Sequence, residues 1–594
     1  MNHQRVRLWA VAVVLSAVLV ACSSPEVPSP EPSGDGDAEL HSLVEEFLRG
    51  YFAWRPQAAV GLGFHEHDGK MTDLSLGSIE AERNRLRFFE RRFGELSSKK
   101  LSREFEIDLK VLLAGIRGEL FRFEDQEAYT KNPMTYAGAL DVNIYIKRDF
   151  APLADRVRFI VAMEERAPAI VQAAKANLQP SLARPFVETA IDMAKGSADF
   201  LERDLARAVS ELKDVELLAR FGKANALAVE SMRGYAEWLE KEKLPTSTQD
   251  FALGRQKFAR MLREQELIDV EPEDLLKRGL SELKKQQQIL VEAAKIVDPS
   301  RPPMEVFKAT QHEHPAGAEL IPHVRKSLEA IRQFLVDHKI VTLPSEVRAR
   351  VAETPQYLRA TSFASMDTPG PFETRATEAY YYVTPVEPEW TPAQQEEWLT
   401  AFNYYATDVI SIHEAYPGHY AQFLCLNASK ASRVRKIFNS YAFVEGWAHY
   451  TEQMMLEEGF GAGDGAKPED RVRAAKYRLG QSVEALLRLC RWCVAIQMHC
   501  GGMSVDEATR FLQTNCYYEE KPARQEAIRG TFDPGYLFYS VGKLQILKLR
   551  EDYKRQEGST FTLQRFHDEL LRHGAPPIRL LREILLKSPE GSEM

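Results

Sequence analysis

The chain has 594 residues, 44% hydrophobic and 27% charged, with a formal net charge of -9. This is the composition of a globular protein long enough for a large core or two lobes, and so small a charge gives no support for nucleic-acid binding. Of the 6 cysteines, the five beyond Cys22 cannot all pair with one another, which excludes a disulfide scaffold.

In chain order, Arg5 and Arg7 precede an apolar run from Leu8 to Val20 that ends in Leu19-Val20-Ala21-Cys22. The run is too short to span a bilayer. It reads as a bacterial lipoprotein leader over residues 1–21, with Cys22 as the lipidated first residue and a lipid anchor in the membrane. Residues 22–38, rich in Pro, Ser, Glu, Gly and Asp, read as a flexible tether. No Asp follows Cys22, so in a host with two membranes the expected place is the outer membrane, facing the periplasm.

From Leu40 to about residue 300, apolar residues recur at three and four, as in Leu109, Leu112, Leu113 and Ile116. They predict helices over 79–96, 102–123, 153–178, 187–212, 222–242 and 256–267, in an N-terminal helical lobe of residues 39–300. His65-Glu66-His67-Asp68 and His312-Glu313-His314 lie beside Gly or Pro and read as exposed loops. Helix resumes over 320–338. Prolines then break the chain, and Glu378 to Thr384, rich in Tyr and β-branched residues, is the strand candidate. One helix is expected over 392–414 and an unusually long one from Asp470 to Cys493, followed by Val494 to His499 and a stop at Gly501-Gly502. There Cys490 and Cys493 lie on an apolar face, as buried free thiols commonly do. Ser504 and Glu507 form a capping box, and two short helices between Phe561 and Leu585 split at residues 574–577.

The chemistry gathers in His413-Glu414-Ala415-Tyr416-Pro417-Gly418-His419. Two His on one helical turn with an adjacent Glu form the usual zinc hydrolase pattern, but a spacing of six turns His419 roughly 120° away from His413 on an ideal helix. Pro417 stops the helix and Gly418 permits an unusual dihedral, so a broken turn could return His419 to His413. Three readings follow: a zinc site with Glu414 as base, a hydrolase without metal, and a structural cluster without chemistry. Glu445 fits a third ligand, since His/His/Glu leaves one position open. His449, one turn on, is a partner of a ligand or an alternative ligand. Glu452, on the same stripe, orients one of the histidines or is a solvated charge.

Together with Glu445-Gly446-Trp447 and Glu452, the His-Glu-x-x-Pro-Gly-His signature resembles that of a bacterial family known as DUF885, whose members look like zinc-dependent peptidases. The resemblance runs from about residue 40 to the C-terminus. Pro534-Gly535-Tyr536-Leu537 departs from the family's more usual Pro-Gly-Gln-Ala, and His499-Cys500-Gly501-Gly502 is a weak match to its His-containing segment. The resemblance implies a mainly α, zincin-like helical metallopeptidase fold. Two helical lobes would surround a cleft beside a small β element, with the signature in a catalytic lobe of residues 301–594. It also implies one zinc ion held by His413, His419 and Glu445, and short peptides as substrates. Tyr539, Tyr536 and His499 are candidates to stabilise charge on the scissile oxygen, Arg529 to bind a substrate carboxylate, and Tyr382, on the strand, to line the substrate path. Competing readings are a zinc-dependent amide or ester hydrolase acting on non-peptide substrates and an inactive envelope scaffold.

Overall fold

The structure, a computed structural model, describes residues 34–355, 359, 363–463, 467–589 and 594. The leader, Cys22 and the tether as far as residue 33 lie outside the described residues. The described residues are mainly α-helical with one small three-stranded sheet among them, and no described helix is long and apolar enough to cross a membrane.

The first helix, Asp35–Trp54, begins inside the segment expected to be tether. Asp35 and Asp37 in its first turn suit the helix dipole, and buried Asp37 accepts a hydrogen bond from the backbone of Ser102 at 2.9 Å. The expected helix over 153–178 is two, Leu153–Glu164 and Ala167–Asn177. The expected 392–414 helix is also two, Pro392–Ala401 and Tyr404–Glu414, because Asn403 adopts an extended conformation and its side chain caps Ala406. Helix Pro303–Gln311 runs up to the His312-Glu313-His314 stretch, and helix Pro272–Val297 packs along the 33-residue helix Pro468–Cys500. The capping box at Ser504 and the pair of helices at the C-terminal end, Leu563–Leu571 and Ile578–Leu585, stand as expected. The five described cysteines are free thiols.

Apolar residues bury in two clusters. One runs from Leu40 to Leu239 and takes in Phe372, Ala376, Val434 and Leu580. The other gathers Phe258 to Val351, the strand residues Tyr381 and Val383, and most of the chain beyond. Two adjoining cavities of about 630 and 420 Å³ share Arg122, Gln126, Phe532 and Pro534 in their walls and draw lining from both clusters.

The sheet consists of β1 (Arg350–Glu353), β2 (Ala364–Asp367) and β3 (Tyr380–Val383) in the order β1-β3-β2, with β1 parallel and β2 antiparallel to β3. Side chains alternate between the faces of a strand. Tyr381 therefore points to the helix Tyr404–Glu414, its hydroxyl 3.2 Å from Ser411 Oγ, whereas Tyr382 stacks on Tyr380 on the opposite face.

His65, expected in an exposed loop, is in fact largely shielded in a short 3-10 turn. Its Nδ1 lies 3.1 Å from Asp68 and its Nε2 2.8 Å from Glu373, and its ring stacks on Phe150. Burial disfavours the imidazolium, but the two hydrogen-bonded carboxylates outweigh it and lift His65 from 6.5 to about 9. Against its own burial, the bond from His65 and the amides of Arg375 and Ala376 take Glu373 from 4.5 to about 2. The His65 contribution to stability is fully present below pH 6.5 and lost as pH rises through 9; that of Glu373 is present above pH 4.5 and lost as pH falls through 2. The urea midpoint of the wild-type protein should therefore exceed that of His65→Gln by a margin that shrinks between pH 6.5 and 9. A margin that stays constant over that range would refute the assignment.

Candidate metal centre

The helix Tyr404–Glu414 ends one residue beyond His413. Ala415 to Gly418 form a tight turn containing the cis Tyr416–Pro417 peptide, and a new helix, His419–Ala428, starts at the second histidine. Gly418 is required at this turn by space: a Cβ on it would lie 1.8 Å from the carbonyl oxygen of His413. The broken turn brings the rings of His413 and His419 to 4.9 Å between centroids, nearly perpendicular.

Glu445 arrives from the helix Tyr441–Glu457. Ser440 caps this helix and the Glu266 carboxyl, raised to about 7 by burial, accepts from the amides of Tyr441 and Ala442, which satisfies donors left free at the helix start. Trp447, two residues past Glu445, donates its indole N–H to the carbonyl of Pro417 at 2.9 Å. The two signature segments are thus bonded to each other.

Glu445 Oε2 lies 3.6 Å from His413 Nε2 and 3.5 Å from His419 Nε2. Zinc–ligand bonds of ~2.0–2.2 Å place neighbouring donors of a tetrahedral shell about 3.3–3.6 Å apart, so the spacing fits one ion. Two further observations agree. Among the described residues, the buried atom Glu445 Oε2, which faces both Nε2 atoms, has no hydrogen-bond partner, which is costly unless something else satisfies it. His413 Nδ1 lies 2.7 Å from Glu452 Oε1; the carboxylate fixes the ring proton on Nδ1 and leaves Nε2 as a lone-pair donor, the usual support of a metal-ligating histidine.

Glu452 is fully buried and links several groups. Its other oxygen accepts from His449 Nδ1 at 3.1 Å, and Arg488 lies 3.4 Å from Oε1. Burial raises the carboxyl pKa, but Arg488, His449 and His413 together hold it well below the usual range. His449 is taken down to about 3 by burial and by Lys543, so it is a neutral support bonded to Glu452. In spite of its own burial, His413 is lifted to about 9 by Glu445 and Glu452. Glu414 is half-buried beside β2, where one of its oxygens accepts from the amide of Met366 at 3.2 Å.

The remaining candidates separate. Tyr539, half-buried, faces three guanidinium groups, those of Arg488, Arg491 and Arg529, at 5.3 to 6.0 Å from its ring. Burial first and the Glu445 charge second raise its pKa. Arg529 is paired with Asp533 at 2.9 Å, and the Tyr441 hydroxyl lies 3.4 Å away. His499 and Tyr536 meet instead at Gly530. The amide of Leu253 donates to His499 Nδ1, and Nε2 donates to the Gly530 carbonyl at 2.8 Å, while a Cβ on Gly530 would strike the Tyr536 hydroxyl. Both ring nitrogens of His499 are therefore occupied by backbone.

Sequence reasoning missed Arg488. Its signal was a charge inside Ala485-Leu486-Leu487-Arg488-Leu489-Cys490, since a buried cation requires a partner. It also missed the purpose of Gly446 and Gly542, where two helices cross backbone to backbone: a Cβ on Gly446 would lie 2.6 Å from the carbonyl carbon of Gly542.

None of the curated proteins matches the chain. Two solved structures share its fold: a candidate lipoprotein of unknown function from Shewanella oneidensis and a candidate lipoprotein from Colwellia psychrerythraea. The first has TM-score 0.75 and 23% identity, covering 92% of this chain and 100% of that one; the second has TM-score 0.75 and 18% identity, covering 92% and 98%. A carboxypeptidase from Pyrococcus furiosus aligns over 95% of this chain and 97% of its own with TM-score 0.41 and 13% identity, a likeness too low to carry an argument. The sequence profile described as "Bacterial protein of unknown function (DUF885)" matches residues 56–585, and the chain belongs to that family.

Proposed function

We propose that the protein is a zinc-dependent peptidase that cleaves short peptides in the cell envelope. The observation that carries this reading is the meeting of His413, His419 and Glu445, from two bonded segments, with Glu414 next to the first ligand. Zinc held by these three residues would supply Lewis acidity toward a carbonyl and make water a better nucleophile at neutral pH. Glu452 keeps the His413 proton on Nδ1 and the ring in orientation. Glu414 accepts the proton of the attacking water and passes it to the leaving amine. The Tyr539 hydroxyl stays protonated and donates toward the oxygen on which charge develops. Tyr441, one turn before Glu445, lines the 420 Å³ cavity, and its hydroxyl lies 3.4 Å from Arg529, the candidate to meet a substrate carboxylate in exchange for Asp533. Edge strand β2, whose Met366 amide faces Glu414, offers an extended peptide a partner.

The leader sequence and the descriptions of the two solved relatives as candidate lipoproteins support attachment through Cys22, at the outer membrane if the host has two. The test is elemental analysis of the purified full-length protein followed by a peptide library. Wild type should hold close to stoichiometric zinc at this cluster and cleave short peptides; His413→Ala should lose that zinc. Absence of specific zinc after reconstitution would end the hydrolase reading, and hydrolysis confined to non-peptide amides or esters would replace it with the competing one.

A further inference from the structure

We propose that His312, His314 and Glu396 form a second divalent-metal site, at the protein surface and separate from the cluster around His413. The sequence read this His-Glu-His stretch as an exposed loop. The fold brings it against the helix Pro392–Ala401, where both histidines meet one carboxylate oxygen: His312 Nδ1 lies 3.1 Å and His314 Nε2 3.2 Å from Glu396 Oε1. The three donor atoms lie within 4.8 Å of one another. The separations to Oε1 are close to the ~3.3 Å edge of a tetrahedral shell with bonds of about 2.0 Å.

The proton inventory also calls for a cation. His314 Nδ1 lies 3.0 Å from the carbonyl oxygen of Pro315, which can only accept, so the ring proton is on Nδ1. Nε2 then presents a lone pair to a carboxylate oxygen, an unfavourable meeting of two acceptors unless a positive centre joins them. That centre is a metal ion or a second ring proton. The Nδ1–H to carbonyl bond is the same kind of support that Glu452 gives His413.

The loop is held in place from below. Between the two histidines, Glu313 is tied down: its carbonyl accepts from the Tyr404 amide at 3.0 Å, and its carboxylate accepts from the Tyr405 hydroxyl at 2.7 Å and from Lys476 Nζ at 2.5 Å. Glu396 stands on a helix fixed by the Thr391 and Gln394 capping box. The donors are therefore positioned by two anchored elements, and the His314 side chain is only 11% exposed, whereas His312 and Glu396 face solvent at 64% and 51%. Two imidazoles and one carboxylate, with positions left for water, suit zinc and its first-row neighbours better than magnesium or calcium.

The experiment is equilibrium dialysis of the full-length protein against zinc alone at pH 7.5, with zinc counted per chain. Wild type should bind one equivalent beyond that of the inner cluster. The double variant His312→Ala/His314→Ala should lose that equivalent and keep the inner one, and His413→Ala should do the reverse. Glu396→Gln should weaken the outer equivalent by more than ~100-fold, beyond the roughly 10–100-fold that loss of a mere supporting group costs. If the double variant binds as much zinc as wild type, with the same affinity, the centre joining His314 and Glu396 is a proton and the proposal is overturned. An outer equivalent missing from wild type overturns it as well, whatever the inner cluster binds.

Discussion

Glu414→Gln should lower peptide hydrolysis by about 10²–10⁴-fold, the range that a positioned general acid–base contributes, without changing the zinc content. The substitution preserves shape and an oxygen that can still accept from the Met366 amide, so the turn and the neighbouring strand have no reason to move. In the mechanism proposed above, it removes the group that holds the proton between attack and departure of the amine. The contrast with His413→Ala separates the two roles: one variant keeps the metal and loses turnover, the other loses both. Undiminished hydrolysis in Glu414→Gln would mean that the proton travels by another residue.

Gly542→Ala should destabilise the protein although it replaces glycine inside a helix. In an open helix that exchange gains up to ~1 kcal/mol. Here the new Cβ would lie 1.8 Å from the carbonyl oxygen of Ala442 and 2.7 Å from its carbon. Both are backbone atoms of the helix that carries Glu445, so the clash is relieved only by separating helices Phe538–Glu557 and Tyr441–Glu457. Overpacking of this kind costs about 1–3 kcal/mol or more, which outweighs the propensity gain. We expect a lower urea midpoint together with weaker zinc binding, because Gly446, next to Glu445, faces Gly542 at the crossing. Gly222→Ala, on an exposed helical position with nothing near the added methyl, provides the opposite control and should stabilise by up to ~1 kcal/mol. Equal midpoints for wild type and Gly542→Ala would show that the crossing tolerates a methyl group.

What the sequence disclosed depended on the range of the interaction. Periodicity located most helices, because a buried stripe is written every three or four residues. Breaks that depend on one residue, such as the Asn403 cap inside the expected 392–414 helix, left no mark on that pattern. In the signature, Pro417 and Gly418 foretold a broken turn, and the structure uses it to bring His419 to His413. Contacts between distant segments were not legible: Arg488 with Glu452, Trp447 with Pro417 and Glu313 with Lys476 join residues whose spacing follows no local rule. For the same reason the C-terminal segment was read through its aromatic side chains, whereas Gly542 in that segment sets the helix crossing. Strand alternation, had it been registered against the helix, would have pointed to Tyr381 as the residue facing the signature and turned Tyr382 away.

The bond from the Trp447 indole to the Pro417 carbonyl closes the two signature segments on each other without using any ligand atom. Small zinc domains behave differently: their metal supplies the folding energy, and chelation unfolds them. In this protein, capture of an ion would require that His413 give up a proton, while the segments that carry the ligands are already joined. Chelation should therefore silence the protein and leave it folded, and returning zinc should restore it on the timescale of ion exchange rather than of refolding. A chain built in this way could outlast a period of metal starvation as an intact reserve.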